Sequence, residues 1–305
     1  MKQATVILNW NGKEDTLNCL ASLNALSLSS SSNKIILVDS HSTDGSVQAI
    51  RQQYPTIDIV ESPTNQGYAD GNTMGIKEAL KWGADYIFIL NNDVIVSDHT
   101  ISELVSSLKR HEDWGIAAPK IYFSAGREYH KERYQKNDLG HVIWYAGGML
   151  DMNNILASHV GVDEVDSGQF DIPSVTDFAS GCAMMIRRSV FEKTGFFDSR
   201  YFLYYEDLDF NMRVKKDGFL VGYCPTSYLW HKNSGSTFGS GSPLHDYYIT
   251  RNRMLFGFSY GAPRAKIALI KESVKLALTG RAWQKRGIFD YYAHRFGKGS
   301  YPLDD

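Results

Sequence analysis

A stretch rich in carboxylates and aromatic rings runs from Tyr201 to Arg213 of this 305-residue sequence. In a helix, Glu206 and Asp209 would lie near one face, and Asp209 would form an i,i+4 ion pair with Arg213. The aromatic residues before Glu206 would desolvate a neighbouring carboxylate and raise its pKa, which suits a general base. The alternative is a capped surface helix whose carboxylates form structural ion pairs. Residue types and spacing leave both interpretations open.

Amide and carboxylate side chains also follow an apolar run, at Asn91-Asn92-Asp93. This triplet is either an ordinary turn or half of a metal site that lacks one carboxylate. His231 lies where an apolar segment gives way to a loop of serine and glycine, and an imidazole there is accessible enough to bind a metal. A single histidine is more often a surface or core residue, so His231 alone is a weak signal.

Alternating strand and helix patterns in the first 120 residues position these polar groups. Short apolar runs predict strands at residues 4–8, 34–38, 57–60 and from residue 86, each followed by a helical pattern. Such alternation predicts a mostly parallel sheet, in which ligands bind beyond the carboxyl ends of the strands. Four loops rich in Asn, Asp and Gly lie at those ends, at residues 9–11, 39–44, 65–72 and 91–93. They indicate one shared ligand site.

Composition places the chain among globular proteins and excludes several functions. Hydrophobic residues make up 43% and charged residues 22%, and a net charge of −2 does not favour nucleic-acid binding. There is no GxGxxG after the first strand and no P-loop pattern, so neither nucleotide site is expected. The three separated cysteines indicate reduced thiols in a cytosolic protein. No apolar run reaches the roughly 18 to 20 residues of a membrane span.

The C-terminal segment is strongly basic. Residues 251–300 contain 11 Lys or Arg against two acids, Glu272 and Asp290, a local net charge of +9. Apolar residues recur there at helical spacing, and a basic amphipathic helix with aromatic residues can lie on an anionic membrane surface. The alternative is that these helices pack on the core or on a second subunit and leave a solvated basic face.

Six segments occur in order along the chain. They are Val6-Ile-Leu-Asn-Trp-Asn-Gly12, Ile36-Leu-Val-Asp-Ser-His-Ser-Thr-Asp-Gly45, Asn65-Gln-Gly-Tyr-Ala-Asp-Gly-Asn72, Leu90-Asn-Asn-Asp93, Gly181-Cys-Ala-Met-Met-Ile-Arg187 and Gly195-Phe-Phe-Asp-Ser-Arg-Tyr-Phe-Leu-Tyr-Tyr-Glu-Asp-Leu-Asp209. Together they resemble glycosyltransferase family 2, over roughly residues 4 to 260. The resemblance implies an α/β protein with the GT-A nucleotide-sugar-binding fold, which has a mostly parallel central sheet flanked by helices. We expect a catalytic domain over residues 1–250 and a basic helical C-terminal extension over residues 251–305.

The resemblance assigns roles to particular residues of this sequence. It implies Asp207 as the catalytic base, and Asp93 with His231 as ligands of a divalent cation, Mg²⁺ or Mn²⁺. It implies that Asp39 hydrogen-bonds a pyrimidine base and that Arg251 reaches the pyrophosphate. The full set expected to bind the nucleotide sugar is Asn9, Asn11, Asp39, Asn65, Gly67, Asn72, Asn91, Asn92 and Arg251.

Two positions depart from the family pattern. Asn91 stands where the first carboxylate of the DxD motif is usual, and Thr73 stands where a second asparagine often follows Asn72. An amide at position 91 can still hydrogen-bond a ribose hydroxyl, so the lost charge need not prevent metal binding. We expect Asp93 and His231 to converge on one cation.

These features together predict an inverting, metal-dependent glycosyltransferase of surface polysaccharide biosynthesis. The Asn91-Asn-Asp93 triplet and the Tyr247-x-x-x-Arg251-Asn pattern resemble those of rhamnosyltransferases, and this resemblance implies dTDP-rhamnose as donor, with a UDP-hexose as the alternative. A sugar-nucleotide pyrophosphorylase and a non-catalytic nucleotide-sugar binder are weaker alternatives. The expected acceptor is a glycan or polyprenol-linked glycan, and no nucleic acid is expected. We expect a cytoplasmic protein whose C-terminal helices contact the membrane surface, with a homodimer as the alternative.

Overall fold

The computed structural model describes residues 1–26, 31–233 and 241–303. Its strands are, in chain order, β1 (Gln3–Asn9), β2 (Asn33–Asp39), β3 (Asp58–Glu61), β4 (Tyr86–Asn91), β5 (Val94–Val96), β6 (Trp114–Phe123), β7 (Ile143–Tyr145), β8 (Gly148–Asp151), β9 (Leu156–His159), β10 (Ser174–Val175), β11 (Ala183–Arg187) and β12 (Leu220–His231). Its α-helices are α1 (Lys13–Ala25), α2 (Ser46–Gln53), α3 (Gly67–Trp82), α4 (Thr100–Arg110), α5 (Arg188–Thr194), α6 (Glu206–Lys216), α7 (Pro243–Tyr260), α8 (Pro263–Thr279) and α9 (Ala282–Tyr292).

The N-terminal strands form the parallel half of the central sheet, in the order β4-β1-β2-β3. Helix α3 packs on β1 and β2, and the central strands β1 and β4 bury most of their side chains, whereas the edge strand β3 does not. The register pairs Asn9 with Asp39 and Leu8 with Asn91. The polar ends of three strands therefore meet at one edge of the sheet, as the alternation of strands and helices predicted.

The second half of the sheet is mixed. Strand β11 lies antiparallel between β4 and β6, and β12 runs parallel to β6. The parallel arrangement expected for most of the sheet thus holds for its N-terminal half. The short β5 pairs antiparallel with β12 and sets Val94 opposite His231. This pairing carries a residue from far along the chain back to the carboxyl end of β4.

The C-terminal helices share the core of the α/β domain. The expected division between residues 250 and 251 falls inside α7, which is continuous from Pro243 to Tyr260. Met254, Leu255 and Phe256 belong to the same buried cluster as the sheet. In the described part of the chain, no helix combines the length and apolar character needed to cross a membrane. All three cysteines are buried and free of disulfide bonds.

Candidate active site

A cleft of about 550 Å³ lies beyond the carboxyl ends of β1, β4 and β5. It brings together most of the residues that the sequence assigned to a ligand site. Those that line it are Asn65, Gly67, Asn91, Asn92, Asp93, Asp207 and His231. The remaining assigned residues do not line it, and they are Asn9, Asn11, Asp39, Asn72 and Arg251.

Two of the polar loops are joined to each other behind the cleft. The buried Asn9 Nδ2 donates to Asp39 Oδ1 at 2.8 Å and to Ser42 Oγ at 3.0 Å. Asn11 Oδ1 accepts from the Thr43 N–H at 2.8 Å. These bonds fix residues 9–11 against residues 39–44. In this structure the Asn9 and Asp39 side chains satisfy each other, and their contact with a base stays a prediction.

The third polar loop begins helix α3. Asn65 Oδ1 accepts from the Gly67 N–H at 2.8 Å. Gly67 has φ +70°, and a Cβ there would lie 2.6 Å from the ring and carbonyl oxygen of Phe202, so only glycine fits without strain. Asn72 lies further along α3, where its Nδ2 donates to the Tyr68 carbonyl at 3.0 Å. The loop therefore presents Asn65 and Gly67, but not Asn72, to the cleft.

Asp93 and His231 meet as the sequence predicted. Asp93 Oδ1 and His231 Nε2 are 3.1 Å apart, because β5 pairs with the end of β12. The imidazole is buried beside the Trp144 ring, with the ring centroids 4.6 Å apart. Asn92 Nδ2 turns toward α1 and donates to Thr16 Oγ1 at 2.9 Å. The two predicted cation ligands thus form one pair on the cleft wall.

The donor set of this pair fits a divalent cation. A carboxylate oxygen and an imidazole nitrogen are both ligands that Mn²⁺ accepts, and Asp93 Oδ1 and His231 Nε2 are close enough to serve one ion. His231 Nδ1 is buried and has no hydrogen-bond partner in the described part of the structure. No group of three or more His, Cys, Asp or Glu residues suited to a metal occurs among the described residues. A cation held here would therefore take its other ligands from phosphate oxygens and water.

Asp207 faces the cleft from the first turn of α6. Its Oδ2 accepts from the Gly181 N–H at 2.9 Å, and its Oδ1 accepts from the Leu208 N–H at 2.8 Å. Burial raises the pKa of this carboxyl, and the two backbone donors partly oppose the increase. A carboxylate held at a defined position with a raised pKa has the properties of a general base.

The neighbouring Glu206 also lines the cleft but has no comparable support. Its Oε2 is buried without a hydrogen-bond partner among the described residues. Burial, with the nearby charge of Asp207, raises the pKa of Glu206 well above its ordinary value. A buried, unpaired carboxyl is far less costly when neutral, so this environment favours the neutral form of Glu206.

Asp209 takes the structural role that was the alternative for this segment. Arg213 Nε donates to its Oδ2 at 2.8 Å, and the Tyr260 hydroxyl donates to its Oδ1 at 2.7 Å. The Tyr260 bond fixes α6 to α7 on the side away from the cleft. The structural interpretation of the acidic stretch therefore applies to Asp209, and the general-base role of Asp207 stays a prediction.

The loop that leads into α6 has unusual backbone geometry. Phe202, Tyr204 and Tyr205 have φ of 66°, 67° and 72°, a region that costs residues with a Cβ about 1–2 kcal/mol each. Asn252 Nδ2 lies 2.8 Å from each of three loop carbonyl oxygens, those of residues 201, 203 and 204. Arg251 Nη2 donates to the Tyr201 carbonyl at 3.0 Å. The Arg251–Asn252 pair therefore clamps the loop that positions Asp207.

This arrangement corrects the expectation for Arg251. Its side chain is fully buried, and Nη1 donates to the Gly297 carbonyl at 2.7 Å while Nε donates to Asn252 Oδ1 at 2.9 Å. With its donors occupied by the protein, the guanidinium does not reach a pyrophosphate in the cleft. The pattern that includes residues 247–252 marks the support of the site and not its surface.

Several cleft residues were not assigned from the sequence. The Tyr68 hydroxyl donates to the Gly181 carbonyl, which fixes the turn before β11 that supports Asp207. His159 lies beside Trp144, and burial lowers the pKa of His159 to about 4, so its ring is neutral. His159 comes from β9, in a region whose sequence pattern is irregular. Gly181 stood in a matched segment, but only the fold shows that its N–H faces a carboxylate.

The chain belongs to glycosyltransferase family 2. The family model described as "Glycosyl transferase family 2" matches residues 5–195, which include the parallel half of the sheet and Asp93. The fold and the cleft agree with this membership.

Curated relatives are similar at modest identity. An N-acetylglucosaminyl-diphospho-decaprenol L-rhamnosyltransferase of Mycobacterium tuberculosis is 27% identical over 211 residues, 67% of each chain. A low-salt glycan biosynthesis hexosyltransferase of Haloferax volcanii is 24% identical and covers 82% of this chain and 73% of its own. The dTDP-rhamnosyl transferase RfbF of Shigella flexneri is 24% identical and covers 82% of this chain and 78% of its own. These relatives support a glycosyltransferase of polysaccharide biosynthesis.

Solved structures share the fold. A mannosyltransferase of Pyrobaculum calidifontis, in complex with GDP-Man and Mn²⁺, has a TM-score of 0.57 at 15% identity, covering 99% of this chain and 76% of its own. TarS residues 1–349 of Staphylococcus aureus, in complex with UDP-GlcNAc, has a TM-score of 0.58 at 12% identity, covering 95% of this chain and 79% of its own. The central sheet with flanking helices is thus that of GT-A glycosyltransferases.

Proposed function

We propose that the protein transfers L-rhamnose from dTDP-rhamnose to a hydroxyl of a lipid-linked glycan, with inversion and with a divalent cation. The observation that carries the proposal is one cleft lined both by the Asp93–His231 pair and by Asp207. Three relatives whose names specify rhamnosyl transfer support the choice of sugar. The decaprenol-linked substrate in the name of one relative supports the choice of acceptor.

In the proposed reaction, Asp207 accepts the proton of the acceptor hydroxyl as that oxygen bonds the anomeric carbon. The bond from the anomeric carbon to the diphosphate oxygen breaks, and the nucleoside diphosphate leaves with the electron pair. One displacement inverts the anomeric centre, so no second carboxylate is needed as a nucleophile. The Gly181 and Leu208 N–H groups hold the Asp207 carboxylate in position.

Asp93 and His231 would hold the cation. When bound, it would offset the negative charge that develops on the leaving diphosphate. Asn65 and Asn91 line the same cleft and offer amide groups to ribose hydroxyls and phosphate oxygens. Asp39 is proposed to recognise the pyrimidine ring of the donor nucleotide. This contact requires the Asn9–Asp39 hydrogen bond to rearrange.

The test is transfer from a panel of dTDP- and UDP-sugars to a polyprenol-diphosphate glycan, with Asp207→Asn and the exposed Asp113→Asn as matched control. We expect dTDP-rhamnose to be consumed by the control and not by Asp207→Asn, whose donor binding should persist. Transfer by Asp207→Asn at the wild-type rate would refute the assignment of Asp207 as the general base. Preference for a UDP-hexose would refute dTDP-rhamnose as the donor and leave the family membership intact.

The cation is tested without turnover. Thermal unfolding is measured with dTDP and Mn²⁺ or Mg²⁺, since a ligand of the folded state raises the melting temperature by mass action. We expect the metal-dependent increase to be lost in Asp93→Asn and His231→Gln and kept in His99→Gln, which alters an exposed imidazole. An unchanged increase in both cleft variants would exclude this pair as the cation site.

A further inference from the structure

Helix α8 presents an apolar face to solvent. Its opposite face, with Ala265, Leu269 and Ser273, is buried against the protein. The exposed residues follow helical spacing along about 17 Å of the axis. They are Ile267, Ile270, Val274 and Leu278, with 55%, 45%, 57% and 73% of their surface exposed. Isolated exposed aliphatic residues are ordinary, but four on one helix face form a surface that an interaction partner would cover.

Basic side chains border this apolar face. Arg264, Lys271 and Lys275 are exposed and lie next to it on the helix, and no carboxylate pairs with any of the three in the described part of the chain. Helix α9 also combines apolar and basic groups at the surface. The exposed ring of Phe289 lies 5.5 Å from the guanidinium carbons of Arg286 and Arg295.

The two acids of this region pair with basic residues other than Arg264, Lys271 and Lys275. Glu272 accepts from Arg253 Nη1 at 2.6 Å, at the contact between α7 and α8. Asp290 is fully buried, accepts from the Tyr247 hydroxyl at 2.5 Å, and lies 3.6 Å from Arg286 Nε and 4.0 Å from Arg295 Nη1. The outward side of α8 therefore combines apolar and basic groups without acids among the residues described.

We propose that the outer face of α8, defined by Ile267, Ile270, Val274 and Leu278, binds an anionic lipid surface in the plane of the headgroups. Aliphatic side chains would enter the boundary between headgroups and acyl chains. The flanking Lys and Arg side chains would extend to the lipid phosphates. This surface goes beyond the proposed transfer reaction and does not depend on the identity of the donor.

Charge complementarity selects lipid over a second copy of the chain. A symmetric contact through α8 would bring Arg264, Lys271 and Lys275 of both copies to one interface without opposing acids. Like charges at close range disfavour such an interface, whereas anionic lipid neutralises them. Lipid also covers a narrow stripe along one helix without needing a complementary groove.

The experiment is flotation of the full chain with vesicles of phosphatidylcholine alone and of phosphatidylcholine with phosphatidylglycerol in equal amounts. We expect binding to the anionic vesicles only, reduced at least about tenfold by the double variant Val274→Glu/Leu278→Glu and similarly by Lys271→Glu/Lys275→Glu. The matched control for Val274→Glu/Leu278→Glu is Ile172→Glu/Val175→Glu, which places the same two charges at exposed aliphatic residues elsewhere. Circular dichroism verifies that each variant is folded.

Three results would overturn the proposal. They are absence of binding to anionic vesicles, equal binding of the α8 variants, and equal binding to neutral vesicles. Sedimentation of the wild-type chain supplies a fourth, because a dimer that Val274→Glu/Leu278→Glu dissociates would assign this face to a second copy. Failure of dTDP-rhamnose turnover would leave the lipid-binding result unaffected, so the two proposals fail separately.

Discussion

Replacing Asn252 with alanine should damage both the stability and the turnover of this protein. Three residues of the preceding loop hold positive φ, at a combined cost of about 3–6 kcal/mol. The two Asn252 amide hydrogens are shared among three carbonyl oxygens of that loop, each 2.8 Å from Nδ2, and Asn252 Oδ1 accepts from Arg251 Nε at 2.9 Å. The side chain thus makes three hydrogen bonds, two donated and one accepted, worth about 1 kcal/mol net each, so we expect Asn252→Ala to lower the free energy of unfolding by about 3 kcal/mol.

The position of Asp207 makes this a functional prediction too. The loop released by Asn252→Ala leads directly into the first turn of α6, and Asp207 depends on that turn for its place in the cleft. The Asp93–His231 pair is held by other strands, β5 and β12. We therefore expect kcat to fall at least about tenfold, equivalent to about 1.4 kcal/mol, while KM for the donor changes little.

Urea unfolding and donor turnover, both measured well below the melting temperature, test this prediction. Asn153→Ala is the matched control, since it removes the same side chain from an exposed turn. A wild-type unfolding midpoint and wild-type kcat for Asn252→Ala would show that the clamp does not hold the loop. Loss of stability with normal kcat would separate the clamp from the placement of Asp207.

Three further predictions concern the cleft. Because burial raises the pKa of Asp207, the midpoint of the acidic side of the pH profile of kcat/KM should lie above about pH 3.9, the ordinary Asp value. A midpoint below that value would contradict the assignment of Asp207 as the general base. The pKa of Glu206 is raised in the folded protein, so the wild-type protein loses stability as pH rises above the pKa of an unfolded Glu, and Gln does not titrate. Urea unfolding should therefore show Glu206→Gln gaining stability relative to wild type from about pH 5 to about pH 8. A stability difference between the two proteins that stays constant over this range would contradict a neutral Glu206. Gly67→Ala should lose more stability than Gly126→Ala, because both have positive φ but only position 67 meets Phe202, and equal losses would refute the clash.

The parallel half of the fold could be predicted because its signals are local. Apolar runs and the polar residues that end them mark β1, β2 and β4, and parallel pairing aligns those ends. Helix α4 was predicted over about residues 100–109 from its spacing and is observed over Thr100–Arg110. The periodicity of apolar residues indicates which side of a segment is buried, so strands and helices of this kind can be predicted without knowledge of tertiary contacts.

Other features depend on contacts that local patterns do not contain. Strand β11 lies between β4 and β6, and an apolar run predicts a strand without indicating which strands it pairs with. Arg251 was assigned to the ligand through the family resemblance of the Tyr247-x-x-x-Arg251-Asn pattern. Its burial is set by carbonyls near residues 200 and 297, about 50 residues away in either direction. The Asp93–His231 pairing was predicted only through the family resemblance, and β5 explains it.

Helical geometry explains how one acidic segment serves both structure and chemistry. Residues two apart on an α-helix are rotated by about 200°, so Asp207 and Asp209 must face opposite sides. Asp209 is fixed by Arg213 and Tyr260 on the protein side, which sets the rotation of α6 about its axis. That rotation directs Asp207 to the cleft, where Gly181 holds its carboxylate. The structural ion pair is thus a condition for the orientation of Asp207, the proposed base, and Asp209 could not take the place of Asp207 in the cleft.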